Sequence, residues 1–116
     1  MSETLLEVVY KAVDSKHAED IVVLNMASIS LLADHFVICH GGSERQVQAI
    51  AREVQEQAHK HGFEVRRLEG MDSARWVLID LSDIVVHVFH KDERAYYNLE
   101  RLWGDAPQLD VAYSND

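Results

Sequence analysis

The sequence predicts a small single-domain α/β protein with a mixed five-stranded sheet flanked by helices. Three observations carry that expectation. Two short apolar runs, residues 76–79 and 84–89, are rich in β-branched and aromatic residues and flank the polar break Asp80-Leu81-Ser82-Asp83, so they read as two strands joined by a tight turn. Between earlier strand-like runs and this hairpin lies one clear helix, opened by Ser43 with Gln46 three residues on and carrying the stripe Val47, Ile50, Ala51, Val54 and Ala58. The chain of 116 residues is 47% hydrophobic with a single proline, enough to bury a core without disulfide or metal.

In order, residues 1–16 read as an amphipathic helix that Ser2 can cap, with Leu5, Leu6, Val9, Ala12 and Val13 at helical spacing. Residues 20–25 form a compact apolar strand, 26–32 an irregular connection, and 34–40 a second strand ended by Gly41-Gly42. The Ser43 helix stops at Gly62 after Lys60-His61. Residues 63–69 read as a strand with Phe63, Val65 and Leu68 inward, and 70–73 as a loop into the hairpin. Neither hairpin run alternates cleanly, the pattern of strands covered on both faces by helices. A short helix is expected from Lys91 to about Leu99, with a domain over residues 1–107 and a polar tail, 108–116, that frays. The Ser43 helix can cross between two parallel strands, while the later strands, joined by short connections, pair antiparallel.

Composition excludes several classes. The lone cysteine, Cys39, sits in an apolar run and reads as a buried thiol in a reducing compartment. No apolar run approaches a membrane span, and Met1-Ser2-Glu3 lacks the basic start of a signal peptide, so a cytoplasmic protein is expected. With 20 acidic against 11 basic residues the formal net charge is −9. Such a chain repels nucleic acid at long range, and its acidic surface either favours encounter with a basic protein or simply keeps the chain soluble.

Four constellations could carry chemistry. Gly41-Gly42-Ser43 between strand and helix resembles the entry of a phosphate site, but there is no P-loop lysine and no Gly-x-Gly-x-x-Gly. Metal-assisted nucleotidyl transfer needs two carboxylates at alternate positions of one strand; Glu64-Val65-Arg66 puts a cation at the second. Asp80 and Asp83 stand three apart across a turn, and a turn with an Asp at each end is the simpler reading. Of seven histidines, His59-x-His61 and His87-x-x-His90 lack a completing Cys or Glu set for zinc, and Ser43, His87 and Asp80 are triad types that nothing places together. No cofactor and no metal are expected. Last, Trp76, Tyr96, Tyr97 and Trp103 are either core or a binding face; the interface reading leads for Trp76 and Tyr97 and the core reading for Tyr96 and Trp103.

Several segments together resemble one family. They are Ala33-Asp34-His35-Phe36-Val37-Ile38, Gly42-Ser43 with Gln46-Val47-x-Ala49-Ile50-Ala51, Glu69-Gly70, Trp76-Val77-Leu78-Ile79-Asp80, Asp83 through Phe89, and Arg94-x-Tyr96-Tyr97-x-Leu99-Glu100-x-Leu102-Trp103. The pattern is similar to that of the ribosomal silencing factor RsfS, or iojap, family and covers nearly the whole chain. Two departures are visible: His35 stands where the family usually has Tyr, and Ser82 where a Gly commonly makes the hairpin turn.

The resemblance implies a fold related to nucleotidyltransferases without their catalytic carboxylates, and a ribosome-associated factor, not an enzyme. It implies docking on the fourteenth protein of the large ribosomal subunit, which blocks joining of the small subunit and lowers translation when nutrients are scarce. The residues expected at that contact are Trp76 as apolar anchor, Asp80 and Asp83 as acceptors for Arg or Lys of a basic ribosomal protein, and His87 and Tyr97 as polar rim. Direct sequence-specific nucleic-acid binding and membrane association are not expected. Two other readings stand beside it: a metal-dependent nucleotidyltransferase-like enzyme, and a homodimeric scaffold built through the same hairpin.

Overall fold

The structure, a computed structural model, describes residues 4–26, 33–93 and 108–109. Its elements are α1 (Leu5–Ser15), β1 (Glu19–Asn25), β2 (His35–Gly41), α2 (Glu44–Lys60), β3 (Arg67–Glu69), β4 (Trp76–Asp80), β5 (Ile84–His90) and β6 (Gln108–Leu109). The strands form one mixed sheet in the order β3-β4-β5-β2-β1-β6. The five expected strands are present. The two-residue β6 adds a sixth, pairing antiparallel with β1 inside the stretch expected to fray.

β2 and β5 pair in parallel at the centre, and every other pairing is antiparallel. Because β4 reverses direction between β5 and β3, α2 joins two strands that run the same way. Its start is fixed by local chemistry: Ser43 Oγ accepts from the Gln46 N–H at 3.1 Å, while Gln46 Oε1 accepts from the Gly42 N–H at 2.7 Å, one residue outside the expected capping box. The same Gln46 amide donates to the carbonyls of Lys16 and His17, tying the end of α1 to the start of α2. α1 begins later than expected. Its cap is Thr4, whose side chain accepts from the Glu7 N–H at 3.2 Å, and Ser2 lies outside the described residues.

Both described helices lie on one face of the sheet, not above and below it as the hairpin pattern suggested. Val9, Ala12 and Val13 of α1 and the whole expected stripe of α2 join Val23, Val37, Cys39, Val77, Ile79, Val86 and Val88 in one buried cluster. The hairpin is apolar on its other face because a second cluster forms there from Leu24, Met26, Ile38 and Phe89. Cys39 is fully buried in the first cluster. The strand expected over 63–69 pairs only over 67–69. Phe63 and Val65 instead pack on the helical cluster from irregular chain, and Leu68 is exposed, not inward. Of the helix expected after Lys91, residues 91–93 are helical, and the rest lies outside the described residues. No helix of the described residues is long and apolar enough to cross a membrane.

The hairpin turn explains one sequence departure. Ser82 adopts φ 77°, a left-handed conformation natural to glycine, and is held there by its N–H donating to Asp80 Oδ1 at 2.9 Å. Ser82→Gly is therefore expected to raise stability by about 0.5–1 kcal/mol, because the strain exceeds the exposed Arg66–Ser82 bond it removes. A urea midpoint that falls would contradict this.

Candidate docking face

Side-chain alternation sets which residues share the face away from the helices. The register opposes Trp76 to Phe89, Leu78 to His87 and Asp80 to Val85, then Val85 to Phe36 and His87 to Ile38, then Phe36 to Leu24 and Ile38 to Val22. All of these side chains therefore point to one side. Trp76, Leu78 and Asp80 are half-buried there, while Val77 and Ile79 between them are buried against the helices.

Trp76 is fixed by its neighbours. Its ring stacks on Phe89 with centroids 5.0 Å apart, and its indole N–H donates to His87 Nδ1 at 3.1 Å. His87 in turn packs at 4.8 Å from the Phe36 ring. The two bonded residues are diagonal neighbours across β4 and β5, within reach of long side chains on one sheet face. Burial lowers the His87 pKa from 6.5 to about 4, so the ring is neutral at neutral pH with its proton on Nε2. At 3% exposure His87 is no rim residue, which corrects the role expected of it. It stands beneath Trp76 and orients the indole.

The two aspartates do different work. Asp80 shares the face with Trp76 and spends one carboxylate oxygen on the turn. Asp83 is exposed in that turn, and its backbone carbonyl accepts from the N–H groups of Asp34 at 2.7 Å and His35 at 3.2 Å, which ties the turn to the start of β2. Tyr97, Tyr96 and Trp103 lie outside the described residues. Thus Trp76, Asp80 and His87 come together on one face, with Asp83 at its end. Leu78 and Phe36 share that face and were missed as site residues; the spacing Trp76-x-Leu78-x-Asp80 was the signal available for Leu78.

The other chemical constellations do not assemble. Gln46 occupies the Gly42 N–H that a phosphate would use, so the Gly-Gly-Ser turn is filled by its own helix. His87 and His90, three apart on one strand, face opposite sides of the sheet. Among the described residues, no three His, Cys, Asp or Glu side chains gather as metal ligands. Ser43 caps α2 while His87 holds Trp76 and Asp80 holds its turn, so the triad types serve separate tasks.

The comparisons with known proteins agree with one another. A family model described as ribosomal silencing factor during starvation, RsfS, matches residues 1–116. The ribosomal silencing factor RsfS of Bacillus subtilis is 60% identical over 111 residues, 96% of this chain and 94% of that protein. A crystal structure of a protein from Bacillus halodurans superposes with a TM-score of 0.84 at 61% identity, covering 92% of this chain and 97% of that one. A more distant mouse relative, named mitochondrial assembly of ribosomal large subunit protein 1, is 30% identical over 93 residues, 76% of this chain and 40% of that protein.

Proposed function

The chain belongs to the RsfS family of ribosomal silencing factors, and on that premise we propose that it docks on the large ribosomal subunit through the sheet face opposite α1 and α2. The docked domain occupies space that the small subunit needs and so prevents joining, which lowers translation when nutrients are scarce. The contact is a basic ribosomal protein, the fourteenth of the large subunit, and the site of action is the cytoplasm.

One observation carries this reading: a half-buried tryptophan, held in place by Phe89 and by a buried histidine, shares with Asp80 a sheet face that neither α1 nor α2 covers, and Asp83 stands in the turn at the end of that face. A rigid aromatic anchor with acidic neighbours is the form of a hot spot for an Arg- or Lys-bearing partner. The net charge of −9 steers the same encounter, and the mouse relative's name ties a relative to the large subunit. Trp76 is the anchor, Asp80 and Asp83 are acceptors, Tyr97 is a rim contact, and His87 positions the anchor. The mechanism is steric and calls for no catalysis. Gln46 on the Gly42 N–H, the group a nucleotide phosphate would use, argues against nucleotidyl transfer.

Trp76→Ala is expected to weaken binding to large subunits by about 2 kcal/mol or more, roughly thirtyfold. Asp83→Asn should weaken it less, chiefly through slower association at low salt. Binding isotherms for the two variants separate these outcomes. A folded Trp76→Ala protein with wild-type affinity would sink the assignment of the anchor.

A further inference from the structure

Between α2 and β3 the chain crosses from the helix layer to the edge of the sheet without forming an element. Its departure is a helix stop of defined geometry. Gly62 stands at φ 82°, its N–H donates to the His59 carbonyl at 3.1 Å, and the Phe63 N–H donates to the Ala58 carbonyl at 2.8 Å. Its arrival is equally fixed, because the Arg66 N–H donates to the Asp80 carbonyl at 2.8 Å. Between these anchors neither Glu64 nor Val65 makes a main-chain hydrogen bond among the described residues.

A cleft of about 600 Å³ opens beside this crossing. Leu5 at the start of α1, Phe63 and Val65 give it apolar walls, and Ser82 and Asp83 of the hairpin turn form its far lip. It therefore begins at the turn where the docking face ends, and Asp83 belongs to both. Two carboxylates stand at it, those of Glu64 and Asp83. Both residues are exposed, and neither has an ion pair among the described residues. The Arg66 guanidinium is turned to Ser82 instead, donating to its Oγ at 3.3 Å.

We infer that this cleft is a second seat for the basic protein that the docking face binds. It receives a loop whose apolar side chain lies against Leu5, Phe63 and Val65 and whose neighbouring Lys or Arg meets Glu64 and Asp83. The inference rests on the docking proposal and carries the contact around the hairpin turn. The occupant follows from the lining. A wholly apolar segment would leave two carboxylates unpaired at the contact, and a nucleic-acid phosphate would meet them as like charges. The apolar walls suit the methylene stem of the same cation, and the main-chain groups of Glu64 and Val65 offer the loop hydrogen bonds. A partner gripped on both sides of the turn is fixed in orientation, which one aromatic anchor does not specify.

Equilibrium and kinetic binding of the full chain to purified large ribosomal subunits tests this with two charge reversals. Glu64→Lys places a cation in the cleft. Glu56→Lys makes the same change of net charge on the solvent side of α2, outside the cleft. Both positions are exposed, so thermal melts should show both variants folded. Glu64→Lys is expected to raise the dissociation constant about tenfold, mainly through faster dissociation. Glu56→Lys should change it by no more than about threefold, through association alone. Equal effects of the two reversals, with Trp76→Ala still weakening binding, would overturn the second seat and leave the docking face standing. A wild type that does not bind large subunits would remove both.

Discussion

Replacing Gly70 by alanine is expected to cost about 3 kcal/mol or more of stability and to displace the start of β4. Gly70 sits at φ 87°, where an L side chain is strained by about 1–2 kcal/mol. Strain is the smaller part. A Cβ there would be driven into the carbonyl oxygen of Trp76, with the Trp76 carbonyl carbon at 3.0 Å and Val77 Cα at 3.3 Å. All three are backbone atoms of a paired strand and cannot rotate away. The Gly70 carbonyl also accepts from the Ala74 N–H at 3.0 Å, so the loop that delivers Trp76 is built on this close approach. Gly62 gives the control: its φ is 82° but nothing lies within 4 Å of a Cβ, so Gly62→Ala should cost only the strain. Denaturant midpoints of the two variants measure the difference. Equal losses would mean that the contact with β4 contributes nothing.

Acid is expected to destabilise the protein through His87 by about 3 kcal/mol as the pH falls from about 6.5 to about 4. Unfolded, this histidine takes its proton near 6.5; folded, burial delays protonation to about 4. Between those values the unfolded state binds the extra proton, so stability falls with falling pH, and the loss levels off below about 4. The cross-strand neighbours of His87, Ile38 and Leu78, carry no charge that could hold an imidazolium. Protonation would also set an Nδ1–H against the indole N–H of Trp76, two donors with no acceptor between them. Other groups titrate in the same window, so the contrast is with His87→Gln, which keeps an acceptor for the indole and does not titrate there. The stability difference between wild type and variant should shrink by about 3 kcal/mol across the window. A difference that stays flat with pH would mean His87 is not the group responsible.

What the sequence made legible follows from how local each signal is. The α2 cap and stripe involve residues within a few positions of one another, and they appear nearly as read. The hairpin was legible for the same reason, down to the strained turn that Ser82 occupies in place of glycine. β3 was not, because Phe63 and Val65 are apolar for the sake of the helical cluster, not for a strand. Likewise the hairpin's double-sided apolar pattern is satisfied on one side by helices and on the other by Leu24, Met26, Ile38 and Phe89, whose meeting depends on strand order. Within the site, Trp76, Leu78 and Asp80 stand at period-2 spacing, a local signal from which their shared face could have been read. The bond from Trp76 to His87 could not be foreseen, because it runs diagonally between strands whose register no local pattern states. A histidine among valines looks the same in sequence whether it lies at a rim or beneath an anchor.

The most direct test of the central claim is co-sedimentation of the purified chain with separated large and small ribosomal subunits, repeated with the two mixed. The account predicts binding to large subunits and not to small ones, fewer joined particles on mixing, and loss of both effects with Trp76→Ala. Binding to neither subunit at modest salt, or binding that leaves joining unchanged, would contradict it.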